Sequence, residues 1–288
     1  MAPATGRPTP TWGRQPLRGA LAVSRPGNAA LAGVLPVVGA YVAGALAGHL
    51  PAALLAGVAT ALGVASGNAV NDVFDRAVDA VNAPDRPLPS GALSPRGAVV
   101  VAAATAAAAV AVTAAFLPTA ALALGVGNLV VLVAYTPLLK GRYGLGNAAV
   151  AFLGASAFLF GGLAVGSLAG VWVLAALAGS ATLARELLKD VEDVRGDAAE
   201  GLSTLPVALG PGPTTALGDA CLVATVALSP VPFLAGSLGP AYLGVVAVAD
   251  GLALLAVVRS RDDVGRSQRL VKYAMAVSAL AFVLGRAV

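Results

Sequence analysis

The sequence predicts an all-α, polytopic membrane protein of about nine transmembrane helices packed as a tight bundle. Three observations carry this. Of its 288 residues, 58% are hydrophobic and only 11% are charged, whereas a soluble domain has about a quarter of its residues charged. The apolar residues fall in runs of about 20, the length at which a helix crosses a bilayer. Almost every Lys and Arg falls in alternate linkers between those runs, the asymmetry expected of a chain threaded under the positive-inside rule.

In chain order, the first 26 residues are rich in Pro, Gly, Thr and Arg and contain no acid. No compact apolar segment with a small-residue cleavage site follows, so they read as a flexible basic tail rather than a targeting peptide. A short interfacial helix is expected from Trp12 to Val23, and residues 27–288 form a single transmembrane domain. The expected spans are about 27–48, 51–71, 97–117, 119–138, 147–167, 169–188, 213–236, 240–258 and 268–287. Ala, Gly and Val dominate many of them, and small residues let helices approach closely in lipid.

Nine spans put the tail and the linkers 72–96, 139–146, 189–212 and 259–267 on one side. With the adjoining helix ends, that side holds every Lys and Arg except Arg286. The opposite linkers, "GHLP", "LPT", "SLAG" and "GSLGP", carry none. The expectation is a multi-pass protein of the cell membrane, with a cytoplasmic N-terminus and charged rim and the C-terminus outside. A pI near 9.6 suits contact with anionic lipid headgroups. The cations are scattered among spans, which argues against nucleic acid, and nothing identifies a protein partner. The lone Cys221 precludes an internal disulfide, and the lone His49 leaves little for histidine catalysis.

Of the 14 acids, only Asp219 and Asp250 fall outside the charged side. A carboxylate within a span is a functional candidate, but Asp250 reads as a packing partner bonded to a neighbouring hydroxyl or backbone group. Six of the other twelve form two ladders. "NDVFDRAVD" carries Asp72, Asp75 and Asp79, and "KDVEDVRGD" carries Asp190, Asp193 and Asp197, each offset by 118 residues from its counterpart. At about 100° per residue, positions i, i+3 and i+7 share a helix face. Asn68 extends the first ladder by a turn and Glu186 the second. Pro84 and Gly196 are expected to leave the last aspartate of each ladder on a loop.

Three like charges on one face repel one another and need a cation to offset them. Mg2+ takes hard oxygen ligands, uses one or two carboxylates, keeps waters and shares phosphate oxygens. A solvated acidic linker is the alternative for a single motif, and two copies at equivalent span ends argue against it. Arg86 in "NAPDRPLPSG", Lys140 and Arg142 in "YTPLLKGRYG", and Arg185 and Lys189 before the second ladder supply cations on the same side. Such groups stabilise charge developing on a departing phosphate, Arg as a planar fork and Lys as a point charge. The chemistry suggested is transfer from a lipidic diphosphate, with the tail among apolar helices and the head at the rim. A cation or solute carrier is a more remote alternative, because carriers of the repeat type bind near the midplane.

The elements "NAVNDVFDRAVD", "NAPDRPLPSG", "YTPLLK" and "KDVEDVRGD" resemble, in order and spacing, the UbiA superfamily of intramembrane prenyltransferases across nearly the whole chain. The resemblance implies nine helices around a central cavity, Mg2+ on both aspartate motifs and an isoprenyl diphosphate donor. "TLARELLKDVEDVRGDAAEGLSTLPVALG" and the C-terminal "LVKYAMAVSALAFVLGRAV" are most similar to the ether-lipid branch of that superfamily. That branch implies geranylgeranyl transfer from geranylgeranyl diphosphate to the free glycerol hydroxyl of a lipid phosphate, geranylgeranylglyceryl phosphate. On this resemblance Asp72, Asp75, Asp79, Asp190, Asp193 and Asp197 are Mg2+ ligands or their support, with Asp72, Asp75, Asp190 and Asp193 catalytic. Asn68 and Asn71 meet the donor diphosphate, Arg86, Lys140 and Arg142 neutralise it, and Arg185 and Lys189 serve substrate phosphate. The same motifs recur in aromatic prenyltransferases of quinone and pigment synthesis, the alternative for the acceptor. Val73 stands where some members have a Tyr.

Overall fold

A computed structural model describes residues 16–287. Among them the chain is helical and forms no strand. A single β-bridge, between Arg142 and Ser203, ties two linkers together.

Helix α1 (Pro16–Ser24) matches the second half of the expected interfacial helix, while Trp12 lies outside the described residues. Helix α2 (Pro26–Val42) follows a 42° bend at Arg25, whose φ of 46° is left-handed. Helix α3 (Leu46–Phe74) is irregular at His49 and ends at the first ladder, and the short α4 (Arg76–Asn82) follows it. Helix α5 (Pro95–Phe116) starts sharply: the Ser94 hydroxyl accepts from the Gly97 amide at 3.0 Å, and Pro95 presets the first turn. Helix α6 (Thr119–Ala134) runs into a π-helical turn, Tyr135–Leu139. Helices α7 (Leu145–Ala164) and α8 (Val171–Ala199) follow, each entered through a left-handed glycine. The short α9 (Leu205–Leu209) leads to α10 (Pro211–Leu228), α11 (Val231–Leu234), α12 (Pro240–Arg259) and α13 (Val264–Ala287).

Among the described residues, seven helical segments are long and apolar enough to cross a membrane, or eight if bent α1 and α2 form one span. The expected count of nine is therefore approximate. Alone, α2 has only 17 residues, and α13 carries Arg266, Arg269 and Lys272 in its first half. Each expected span nevertheless coincides with a helix.

The loop expectation for the last aspartates is corrected. Asp79 lies in α4, and Asp197 lies inside α8, which continues through Gly196. One interior glycine costs about 1 kcal/mol, too little to end a helix with this much packing. The first ladder is also not one continuous face, because Asp75 sits at a break (φ −81°, ψ 2°) between α3 and α4.

Packing follows membrane rather than aqueous logic. The buried set is largely alanine, whereas Val100, Val130, Trp172 and Leu234 are exposed. In lipid, helices associate by close contact of small residues rather than by hydrophobic expulsion. A Cβ on Gly161 would stand 1.8 Å from the Pro36 carbonyl oxygen, and one on Gly39 would stand 2.1 Å from that of Phe158. This approach brings α2 onto α7 and shapes one wall of the interior.

Candidate active site

A cavity of about 630 Å³ runs through the bundle between α2, α3, α5, α6, α7 and α8. Most of its wall is apolar, with Leu35, Val126, Leu129 and Phe160 interrupted by Thr60, Thr113 and Asn128, and one end gathers Asn68, Asn71, Tyr135 and Arg185. Of the expected site residues, the structure brings Asn68, Asn71 and Arg185 together on this lining. The six ladder aspartates lie outside this lining, around the polar end.

One linker ties the ladders to each other. Lys140, just past the π-helical turn, places its ammonium 2.9 and 3.0 Å from the two carboxylate oxygens of Asp75. Seven residues later, Asn147 donates to Asp190 Oδ2 at 2.8 Å. The Arg142–Ser203 bridge holds this linker against the segment after the second ladder. The two motifs, 118 residues apart in sequence, therefore face one mouth.

The π-helical turn explains how α6 contributes. Pro137 has no amide hydrogen to donate, and the widened turn closes instead through the Lys140 amide onto Tyr135 O at 2.7 Å. It aims Tyr135 into the cavity and lets Thr136 hydrogen-bond Asn71. Such turns concentrate at functional positions in helices.

Each aspartate has its own partner. Asp72, almost fully buried, pairs with Arg25. Arg86 Nη1 donates to both oxygens of the buried Asp79 at 2.6 Å. That hydrogen bond raises the Arg86 guanidinium above its ordinary range. Asp193 is exposed and pairs with Lys189 at 2.8 Å, one turn back on α8. Asp197 accepts from Thr204 at 3.0 Å. Asn68 donates to the Ser24 carbonyl at 3.1 Å, fixing α1 against the first motif. Arg185 pairs with the adjacent Glu186. Arg142 is exposed and makes no ion pair with a described residue.

Among the described residues, no three His, Cys, Asp or Glu side chains converge as a ready metal cage. The donor set still suits Mg2+, being hard oxygen throughout, and that ion binds through one or two carboxylates plus substrate phosphate. Sequence reasoning missed Arg25, Tyr135, Thr136, Asn147 and Thr204. Arg25 looked like part of a basic tail. Asn147 gave the strongest available signal, a polar amide at the charged-side start of an apolar span. Asp250 fulfils its packing reading, accepting from the Ser229 hydroxyl at 2.6 Å.

Residues 32–280 match the model of the UbiA prenyltransferase family. A relative from Natronomonas pharaonis, named digeranylgeranylglyceryl phosphate synthase, is 50% identical over 94% of this chain and 97% of its own length. A relative of the same name from Methanopyrus kandleri is 43% identical over 93% and 98%. A solved structure concerned with digeranylgeranylglyceryl phosphate synthase superposes with a TM-score of 0.86 at 28% identity, covering 94% and 98%. The fold is also that of a UbiA homolog from Archaeoglobus fulgidus solved with GPP and Mg2+, with a TM-score of 0.68 at 21% identity over 93% and 98%. With the family model matching most of its length, and an all-helical bundle carrying both aspartate motifs at one mouth, this chain is a membrane-embedded member of the UbiA prenyltransferase family.

Proposed function

We propose that the protein transfers a geranylgeranyl group from geranylgeranyl diphosphate to the free glycerol hydroxyl of geranylgeranylglyceryl phosphate, releasing diphosphate. The observation that carries this reading is the long apolar cavity whose polar end lies under two aspartate motifs. The names of the relatives support the choice of acceptor. The charge layout supports placing the reacting rim on the cytoplasmic side of the cell membrane and the C-terminus outside.

The six aspartates would hold Mg2+ or support its ligands, with Asp72, Asp75, Asp190 and Asp193 nearest the chemistry. When bound, Mg2+ supplies positive charge that neutralises the diphosphate. Asn68 and Asn71 orient the donor head with their amides. Arg86, Lys140 and Arg142 add positive charge as the allylic carbon–oxygen bond breaks and its electron pair departs with diphosphate. Arg185, at the polar end of the cavity, binds the phosphate of the acceptor with help from Lys189. The glycerol oxygen bonds to the allylic carbon and its proton leaves to water at the mouth. The apolar walls keep water from the allylic cation, which would otherwise be lost to hydrolysis.

The test is product identification by mass spectrometry, using purified protein, geranylgeranyl diphosphate and a panel of glycerol-phosphate lipids and aromatic acids. The expected product is the doubly alkylated glycerol phosphate, formed only with Mg2+ and lost in Asp72→Ala and Asp190→Ala. Transfer to an aromatic acid with none to the lipid phosphate would replace this acceptor assignment.

A further inference from the structure

A second chamber, of about 320 Å³, opens beside the central cavity between α8, α10, α12 and α13. The two spaces share Leu31, Leu35, Gly154, Thr182 and Met275 on their walls, so they are adjacent, with these side chains at their boundary. None of the polar rim residues borders the side chamber. Of the shared residues, Thr182 stands nearest in sequence to the rim, one helical turn from Arg185 on α8.

The far end is firmly closed. Tyr242 and Phe282 are almost wholly buried and pack edge to face, with centroids 5.1 Å apart. The Tyr242 hydroxyl donates to the Ser229 carbonyl at 2.6 Å, and the Ser229 hydroxyl donates to Asp250, so the polar groups there are engaged with one another. Behind the ring, α13 leaves no slack: a Cβ on Gly285 would fall 2.4 Å from Tyr242 Cβ. An aromatic wall held by a hydrogen bond and a backbone contact is a fixed stop.

The proposed reaction brings two isoprenoid chains to one rim, and each must leave it along a separate apolar path. The central cavity begins among Asn68 and Asn71 and suits the donor chain. We propose that the side chamber receives the isoprenoid chain of the acceptor lipid, entering past Thr182 from a phosphate held at Arg185, and that Tyr242 and Phe282 limit its length. This inference rests on the proposed reaction. A void of this size without an apolar occupant would forfeit the contacts of its whole lining, which favours a chain over empty space.

The experiment compares kcat/KM for glycerol-phosphate acceptors bearing C15, C20 and C25 isoprenoid ethers, and KM for the donor, in two variants remote from the six ladder aspartates. Ala249 is buried, lines the chamber and lies two turns from Tyr242. Ala249→Phe should lower kcat/KM for the C20 acceptor at least about tenfold and spare the C15 acceptor, as expected when a pocket excludes a few methylenes. Phe282→Ala should raise kcat/KM for the C25 acceptor about tenfold on the same reasoning. Donor KM should stay unchanged in both. Should Ala249→Phe fail to fold, Phe282→Ala decides alone. A change in donor chain preference, or an equal change for all acceptors, would overturn the assignment of the chamber. Failure of the unaltered protein to alkylate any glycerol-phosphate acceptor would instead count against the proposed reaction.

Discussion

At the scale of single residues, the candidate site is a set of carboxylates each held by a partner of opposite charge or by a hydrogen-bond donor. Arg86 is the most consequential of these, since it grips both oxygens of an Asp79 that is almost fully buried. Its side chain is 39% exposed, so the pair is worth more than the ~1 kcal/mol of a surface bridge and less than the ~3–5 kcal/mol lost on breaking a buried one. Arg86→Ala should lower thermal stability in detergent and reduce transfer at least about tenfold, with Arg86→Lys recovering part of both, because Lys keeps the charge but loses the fork. Because the bond raises the Arg86 pKa, its stabilisation is fully present below the ordinary arginine range and is lost only at still higher pH. The pH profile of the unaltered protein should therefore show no step from the Arg86 guanidinium below the ordinary arginine range. Arg25 calls for a different experiment. It neutralises Asp72 from a left-handed backbone position, so a metal ion using Asp72 must compete with a guanidinium. In Arg25→Ala the Mg2+ concentration for half-maximal activity should fall, and a rise would mean that Arg25 holds substrate. The aspartates and Arg86 were legible in the sequence because like charges at helical spacing beside lipid demand a counter-cation. Arg25 was not, because its approach to Asp72 depends on the bend between α1 and α2.

At the scale of elements, span length and apolarity located the helices well because both measure the cost of leaving backbone and side chains in hydrocarbon. Their ends were less legible. The sequence reading stopped the sixth span near residue 188, but α8 extends to Ala199, carrying Asp190, Asp193 and Asp197 on one rigid helix. The π-helical turn at Tyr135 had no periodic signature, since Pro137 alone does not distinguish a widened turn from a break. Helix pairing was legible only as a general abundance of small residues, and the register came from the structure. The α2–α7 contact can be tested directly. Gly161→Val would drive a side chain into the Pro36 carbonyl, with no flexible neighbour to yield. Overpacking of this kind costs about 1–3 kcal/mol or more, so the variant should melt earlier than the parent in detergent. Gly127→Val, whose added Cβ would meet nothing within 4 Å, should leave the melting temperature close to that of the parent.

At the scale of the whole molecule, composition and charge act together. Large apolar residues such as Val100, Val130, Trp172 and Leu234 are on the outside; in water they would form adhesive patches, and in lipid they are solvated. The charged residues gather at one end, where the linkers carrying Arg86 and Lys140 and the end of α8 meet the mouth of the cavity. Each Arg or Lys at the centre of a span opposes insertion by about 2.5–3.5 kcal/mol, so a bundle with its cations at one end has a strong orientational preference. That preference predicts a labelling pattern. In a Cys221→Ser background, single cysteines at the exposed positions His49, Ala235 and Ser90 sample both ends. A membrane-impermeant maleimide applied to intact cells should label positions 49 and 235. Position 90, in the linker with Arg86, should react only after the membrane is opened. Labelling of position 90 in intact cells would invert the topology and place the aspartate mouth outside, where a cytoplasmic diphosphate donor could not reach it. The measurement therefore bears on the reaction as well as the fold, because a prenyltransferase must take its charged diphosphate donor from the side on which its cations lie.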